Sequence, residues 1–156
     1  MTTDIGFCHL EDSLTKAAEI MWQKDCGVVP LVDEKNKVVG MITDRDICIA
    51  AATQNRKTSA IKAKEMMRGE VFSCVATDDI ETALKKMKKY QLKRLPITDE
   101  NGELVGILSI ADILLCGRKD KKLRKKIYST LKAIGTSRPI VLKEISESAD
   151  ILSADF

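Results

Sequence analysis

The sequence predicts an α+β fold: two β-α-β-β-α repeats related by pseudo-two-fold symmetry, then a basic helix and a tail. Three observations carry this. With an offset of 66 and no gaps, residues 1–49 lie over residues 67–115, and Cys8/Cys74, Asp12/Asp78, Met21/Met87, Pro30/Pro96, Gly40/Gly106 and Asp46/Asp112 are identical pairs. Within each copy, apolar residues at helical spacing give way to two short apolar strand runs. A unit of about fifty residues buries too little apolar surface to be secure alone, so the copies are expected to pack on each other. The divisions are repeat 1 (1–54), a polar linker (55–66), repeat 2 (67–116) and a C-terminal part (117–156).

Each repeat opens with an extended piece, residues 5–10 or 71–76. Asp12 and Asp78 are expected N-caps of the helix that follows, with Glu81 completing a capping box in the second copy. Leu14, Ala17, Ala18 and Met21 share one helical face, as do Ile80, Ala83, Leu84 and Met87, and both faces read as core. Strands follow at 28–32 and 38–42, and at 95–97 and 104–108, with Asn101-Gly102 a strong turn signal. Pro30 and Pro96 lack a ladder donor and are expected at a strand start or edge. A second helix is expected over 46–53 and 112–116.

The C-terminal part differs. Leu123, Ile127, Leu131 and Ile134 form a helical stripe that Gly135 is expected to end as C′ residue. Residues 118–138 carry nine basic residues and one acid, a net +8 that leaves about −5 for the rest of a +3 chain. Past Pro139 the chain turns acidic and loses periodicity, as a tail would.

Composition narrows the function. One Trp, two Tyr and three Phe leave an aliphatic core. Five cysteines and one histidine, His9, form no C-x-x-C or ligand-like cluster, so buried free thiols in a reducing compartment are the simpler reading than zinc. The start lacks a signal-peptide pattern and no apolar run reaches a membrane span, so the expected setting is soluble and cytoplasmic. No nucleophile-base set, metal cluster or P-loop points to an enzyme.

The chemistry lies in residues 40–47 and 106–113. Each strand ends in a hydroxyl with a carboxylate three residues on: Thr43 with Asp46, and Ser109 with Asp112. A carboxylate can accept hydrogen bonds from the vicinal hydroxyls of a ribose, and a helix N-terminus offers amide donors to phosphate. The plainer alternative is helix capping, which uses the same residue types.

The duplicated unit, the apolar-Pro strand and Gly-x-x-Thr/Ser-x-x-Asp together resemble the CBS domain, named after cystathionine β-synthase, which occurs in tandem pairs. The resemblance covers residues 1–116 and not the C-terminal part. It implies a regulatory module, in some cases energy-sensing, that holds an adenosyl ligand between the repeats: AMP, ADP, ATP, S-adenosylmethionine or NAD. It implies no required cofactor. Asp46 and Asp112 would hold ribose, and Thr43 and Ser109 would lie near phosphate or ribose. Adenine would sit by Val28, Val29 and Leu95.

The copies differ where phosphate would sit. Repeat 2 has Lys93 and Arg94 before its Pro strand, where repeat 1 has Gly27 and Val28. Repeat 1 has Arg45 inside its motif, where repeat 2 has Ala111. A guanidinium suits phosphate, which favours the second cleft; the alternatives are a solvated Arg94 and an Arg45 paired to Asp44 or Asp46. The resemblance further implies a homodimer that acts on a separate, unidentified protein. An interaction module working through the basic helix, on protein or, more weakly, nucleic acid, is the alternative.

Overall fold

A computed structural model describes residues 1–67, 69–117 and 120–136. Arg118, Lys119 and residues 137–156, which include the tail expected past Pro139, lie outside the described residues. Repeat 1 runs β1 (Cys8–His9), α1 (Leu14–Gln23), β2 (Val28–Val32), β3 (Val38–Thr43) and α2 (Asp44–Thr53). Repeat 2 runs β4 (Cys74–Val75), α3 (Ile80–Tyr90), β5 (Arg94–Thr98), β6 (Leu104–Ser109) and α4 (Ile110–Cys116). The last element is α5 (Lys121–Gly135).

Each repeat is a three-stranded sheet, ordered β1-β2-β3 or β4-β5-β6, with the first pair parallel and the second antiparallel. The extended openings shrink to two-residue strands. Pro30 and Pro96 stand mid-strand rather than at a strand start. The short β1 pairs only Leu31 and Val32, and β4 only Ile97 and Thr98, so at each proline the central strand has a partner on one side only. A missing N–H costs nothing there.

Two cap assignments shift by one residue. Ser13 caps α1 by accepting from the Lys16 backbone, and Asp79 caps α3 by accepting from Thr82. Asp12 and Asp78 instead close the turn behind the strand, accepting from the His9 and Val75 backbones at 2.8 and 3.0 Å. With Asp79 as the cap, Glu81 forms no capping box; it pairs with Lys126 of α5. α2 and α4 begin two residues earlier than expected, at Asp44 and Ile110.

The cores are aliphatic and separate. One gathers Leu14, Ala17, Met21, Val29, Leu31 and Ile42; the other gathers Leu84, Met87, Leu95, Ile97, Ile113 and Ile127. Ala18 is half-buried and Ile80 exposed, so those helix faces are narrower than the sequence pattern. Ile61, Ala63 and Met66, in the segment read as a linker, bury in the first core. Cys8 and Cys74 are buried, but Cys48 and Cys116 are exposed, which corrects the expectation of uniformly buried thiols. Burial, with the Asp12 charge adding and Lys16 opposing, pushes the Cys8 thiol up to about 11.

α5 lies across α3 and α4. Ile127 and Thr130 are buried beneath it, and Leu123 and Ile134 half-buried. Leu131 departs from the expected stripe and is exposed. Gly135 is the last helical residue, with Thr136 as the C-cap.

The repeats interlock reciprocally. The two β-hairpin loops pair through Val38 N–H to the Gly102 carbonyl at 3.3 Å and Leu104 N–H to the Asn36 carbonyl at 3.1 Å. Asn36 and Gly102, equivalent positions, both adopt positive φ, at 57° and 85°. Thr2 exchanges two 3.0 Å backbone hydrogen bonds with Ile107 of β6. Met1 packs on Gly106 and its equivalent Met67 packs on Gly40, so the residues that open each repeat lie against a strand of the other.

Candidate functional site

The two motif stretches form the same structure. Thr43 and Ser109 are the last residues of β3 and β6, still extended, and they cap α2 and α4. One oxygen of Asp46 accepts from the Thr43 backbone at 2.9 Å and from its hydroxyl at 2.6 Å. One oxygen of Asp112 accepts from Ser109 in the same way, at 2.8 and 2.7 Å. Each hydroxyl in turn accepts from the backbone of its aspartate. The capping alternative is therefore realised in both repeats. It occupies one carboxylate oxygen of each aspartate; among the described residues no donor reaches the other.

Cross-strand register decides what stands beside each motif. Val28 lies opposite Thr43, and Arg94 opposite Ser109. The Lys93 carbonyl accepts from Ile110 at 2.9 Å, which ties the start of β5 to the first turn of α4. Lys93, Arg94, Ser109 and Asp112 thus come together at one edge, with both cations exposed. Burial raises the Asp112 carboxyl; hydrogen bonds from the Ser109 hydroxyl and backbone, then the charges of the amino terminus and Arg94, outweigh it. The group is held below the usual carboxylate range.

Arg45 is exposed on α2 and forms no ion pair with Asp44 or Asp46 among the described residues. Its backbone N–H binds the Asp44 carboxylate at 2.7 Å. Val28 is buried at the end of β2 but stands outside the helical core. Val29 and Leu95 are equivalent residues, fully buried in the two cores. Their side chains face the helices, so at these positions the strand offers a ligand its backbone.

Sequence reasoning missed the crossing segments. Met1 and Thr2 lie on β6, close enough for the amino terminus to act on Asp112. The signal was present in the Met1/Met67 and Gly40/Gly106 pairs: each methionine covers the glycine of the other repeat. Among the described residues there is no group of three His, Cys, Asp or Glu placed to hold a metal ion. Nor is any helix among them long and apolar enough to cross a membrane.

Two β-α-β-β-α repeats interlocked about a pseudo-two-fold, each with a hydroxyl-acid cap at its strand-helix junction, define a tandem-repeat module with two equivalent junctions. The chain belongs to the CBS domain family, whose model matches residues 1–52 and 63–117. It is 34% identical over 113 residues to the CBS domain-containing protein YhcV of Bacillus subtilis, covering 72% of this chain and 79% of that protein. It is 32% identical to a homoserine O-acetyltransferase of Methanococcus vannielii, but spans only 23% of that enzyme's length.

Two solved structures have the same fold at 30% identity, each covering 74% of this chain and 92% of the other. Hypoxic Response Protein I, crystallised with two coordinated zinc ions, superposes with a TM-score of 0.67. A CBS domain pair in complex with 5′-methylthioadenosine and S-adenosyl-L-methionine superposes with a TM-score of 0.64.

Proposed function

We propose that the chain is a regulatory module that binds an adenosyl ligand at its two motif junctions, with the second junction suited to phosphate. The observation that carries this is the placement of Arg94 directly across the strand pair from Ser109, beside Lys93 and Asp112. The unoccupied oxygen of Asp112 would accept from ribose, the amide donors of α4 would face anionic oxygens, and Arg94 would fork onto phosphate. At the first junction Asp46 and Thr43 repeat the arrangement, with Arg45 as the cation. Adenine would lie against Val28 and the backbone at Val29 and Leu95. The adenosyl complex of a relative at 30% identity supports the ligand class.

Ligand binding regulates only if two arrangements of the repeats differ in affinity for it. We extend the reading to a cytoplasmic, energy-sensing homodimer that acts on a separate protein rather than as an enzyme. The test is calorimetric titration with AMP, ADP, ATP, NAD and S-adenosylmethionine. At least one is expected to bind well below millimolar, the level at which binding energy is only about 4 kcal/mol. Arg94→Ala should weaken a phosphorylated ligand far more than 5′-methylthioadenosine, which carries no phosphate. Absence of binding by all five removes the ligand reading.

A further inference from the structure

The outer side of α5 and the end of α4 carry an uncovered apolar surface. Leu114 of α4 and Tyr128 and Leu131 of α5 are all exposed, and they line one groove with the cations Lys121, Arg124 and Lys125. Among the described residues no acid pairs with any of these cations. An apolar strip with a basic rim selects an occupant that is both apolar and acidic.

Other surfaces suit such an occupant less well. The groove of repeat 1 beside Trp22 and Met21 is edged by acids, Asp25 and Asp44. The cleft beside Phe72 and Tyr90 is basic, but its cations are already engaged. There Lys86 donates to the Ser73 carbonyl at 2.7 Å and stands 3.7 Å from Asp78, and Lys89 lies over the Tyr90 ring.

The chain itself carries the matching chemistry. Residues 144–156 hold Glu144, Glu147, Asp150 and Asp155 and no base, together with Ile145, Ile151, Leu152 and Phe156. This stretch is also tethered at the right place. Gln91 fixes the end of α5 by donating to the Ala133 and Thr136 carbonyls at 2.9 and 3.1 Å. At about 1.5 Å per residue, the far end of the groove at Lys121 lies about 22 Å back along the helix from Thr136. Residues 137–143, at up to about 3.4 Å each, are long enough to reverse and bring residue 144 alongside any part of it. So short a tether gives an effective concentration of about millimolar, at which weak contacts suffice.

We propose that residues 144–156 dock in the α4–α5 groove of their own chain. Their apolar side chains cover Leu114, Tyr128 and Leu131, and their carboxylates face Lys121, Arg124 and Lys125. The docking depends neither on the adenosyl-ligand reading nor on the number of copies that associate, and it is tested without nucleotide.

The experiment is zero-length carbodiimide coupling of the full chain at low salt, read by peptide mass spectrometry. The chain is mixed with an equal amount of its isotope-labelled form. Links are expected from Lys121 or Lys125 to Glu144, Glu147 or Asp150, within one isotope form. A glutamate-specific protease should cut slowly after Glu144 and Glu147 in the unmodified chain. In Leu131→Gln it should cut at least about tenfold faster, equivalent to about 1.4 kcal/mol of docking. High salt should also speed the cutting, by screening the charges. Arg124→Glu should lower the yield of Lys125 links, and adding Glu147→Arg to the same chain should restore it through Asp150. That charge swap, at exposed positions, decides the question should Leu131→Gln misfold. Links confined to other lysines overturn the proposal. So do links between isotope forms, equal cutting in Leu131→Gln, or a swap that restores nothing.

Discussion

At the residue scale, each motif aspartate closes a capping box with one oxygen, and among the described residues no donor reaches the other. Ser109→Ala removes the cap hydroxyl and should cost about 1 kcal/mol, read from urea unfolding. Asp112→Asn tests the charge. Because the folded carboxyl lies below its ordinary value of 3.8, its contribution is present above that pH and lost as pH falls through the folded value. The unmodified chain should therefore lose stability below about pH 4 more steeply than the Asp112→Asn variant, whose amide does not titrate. Equal pH dependence in the two would count against Asp112 being held charged by its neighbours.

At the element scale, the sequence announced existence and order better than ends. The offset of 66 and the strand runs predicted every strand and helix of both repeats, because duplication doubles a signal that is weak in one copy. The caps slipped by one residue because Asp12-Ser13 and Asp78-Asp79 each put two capping residues side by side. Spacing alone does not say which one turns its side chain to the helix and which to the strand behind it. Leu131 was misplaced for a different reason. Thr130, a polar residue, fills the buried position, which an apolar stripe assigns to Leu131. Ile127→Ala should cost about 2–5 kcal/mol, since Ile127 is the α5 side chain buried in the second core. Thiol labelling should modify Cys48 and Cys116 quickly, and Cys8 and Cys74 only when the protein opens.

At the scale of the whole molecule, two small cores are joined by reciprocal contacts. The candidate site was legible in its residue types and only partly in its surroundings. Arg94 and Lys93 stood out through the family resemblance, with the comparison of copies showing that the first repeat lacks them, whereas the approach of Met1 and Thr2 depends on how the repeats dock, which no local pattern encodes. A side chain at Gly106 would place its Cβ 2.9 Å from the Met1 sulfur and 3.3 Å from the Thr2 carbonyl oxygen. At Gly40 the Cβ would stand 3.0 Å from a Leu31 methyl and 3.3 Å from Met67 Cγ. Gly106→Val should therefore displace the residue 1–2 segment from β6, read as faster amide exchange at Ile107, with the first core left intact. Unchanged protection there would mean that the crossing segment contributes little to docking.

That crossing has a consequence for how the chain is made. Met67 meets Gly40 soon after it is synthesised, but Thr2 must wait until Ile107 exists before its hydrogen bonds can form. During translation the first repeat therefore assembles with residues 1–2 unpaired, and they reach their place only once β6 has been made. Contacts so far apart in sequence form slowly. A ribosome-bound chain halted before residue 104 should leave residues 1–2 open to a protease that spares them once β6 has emerged.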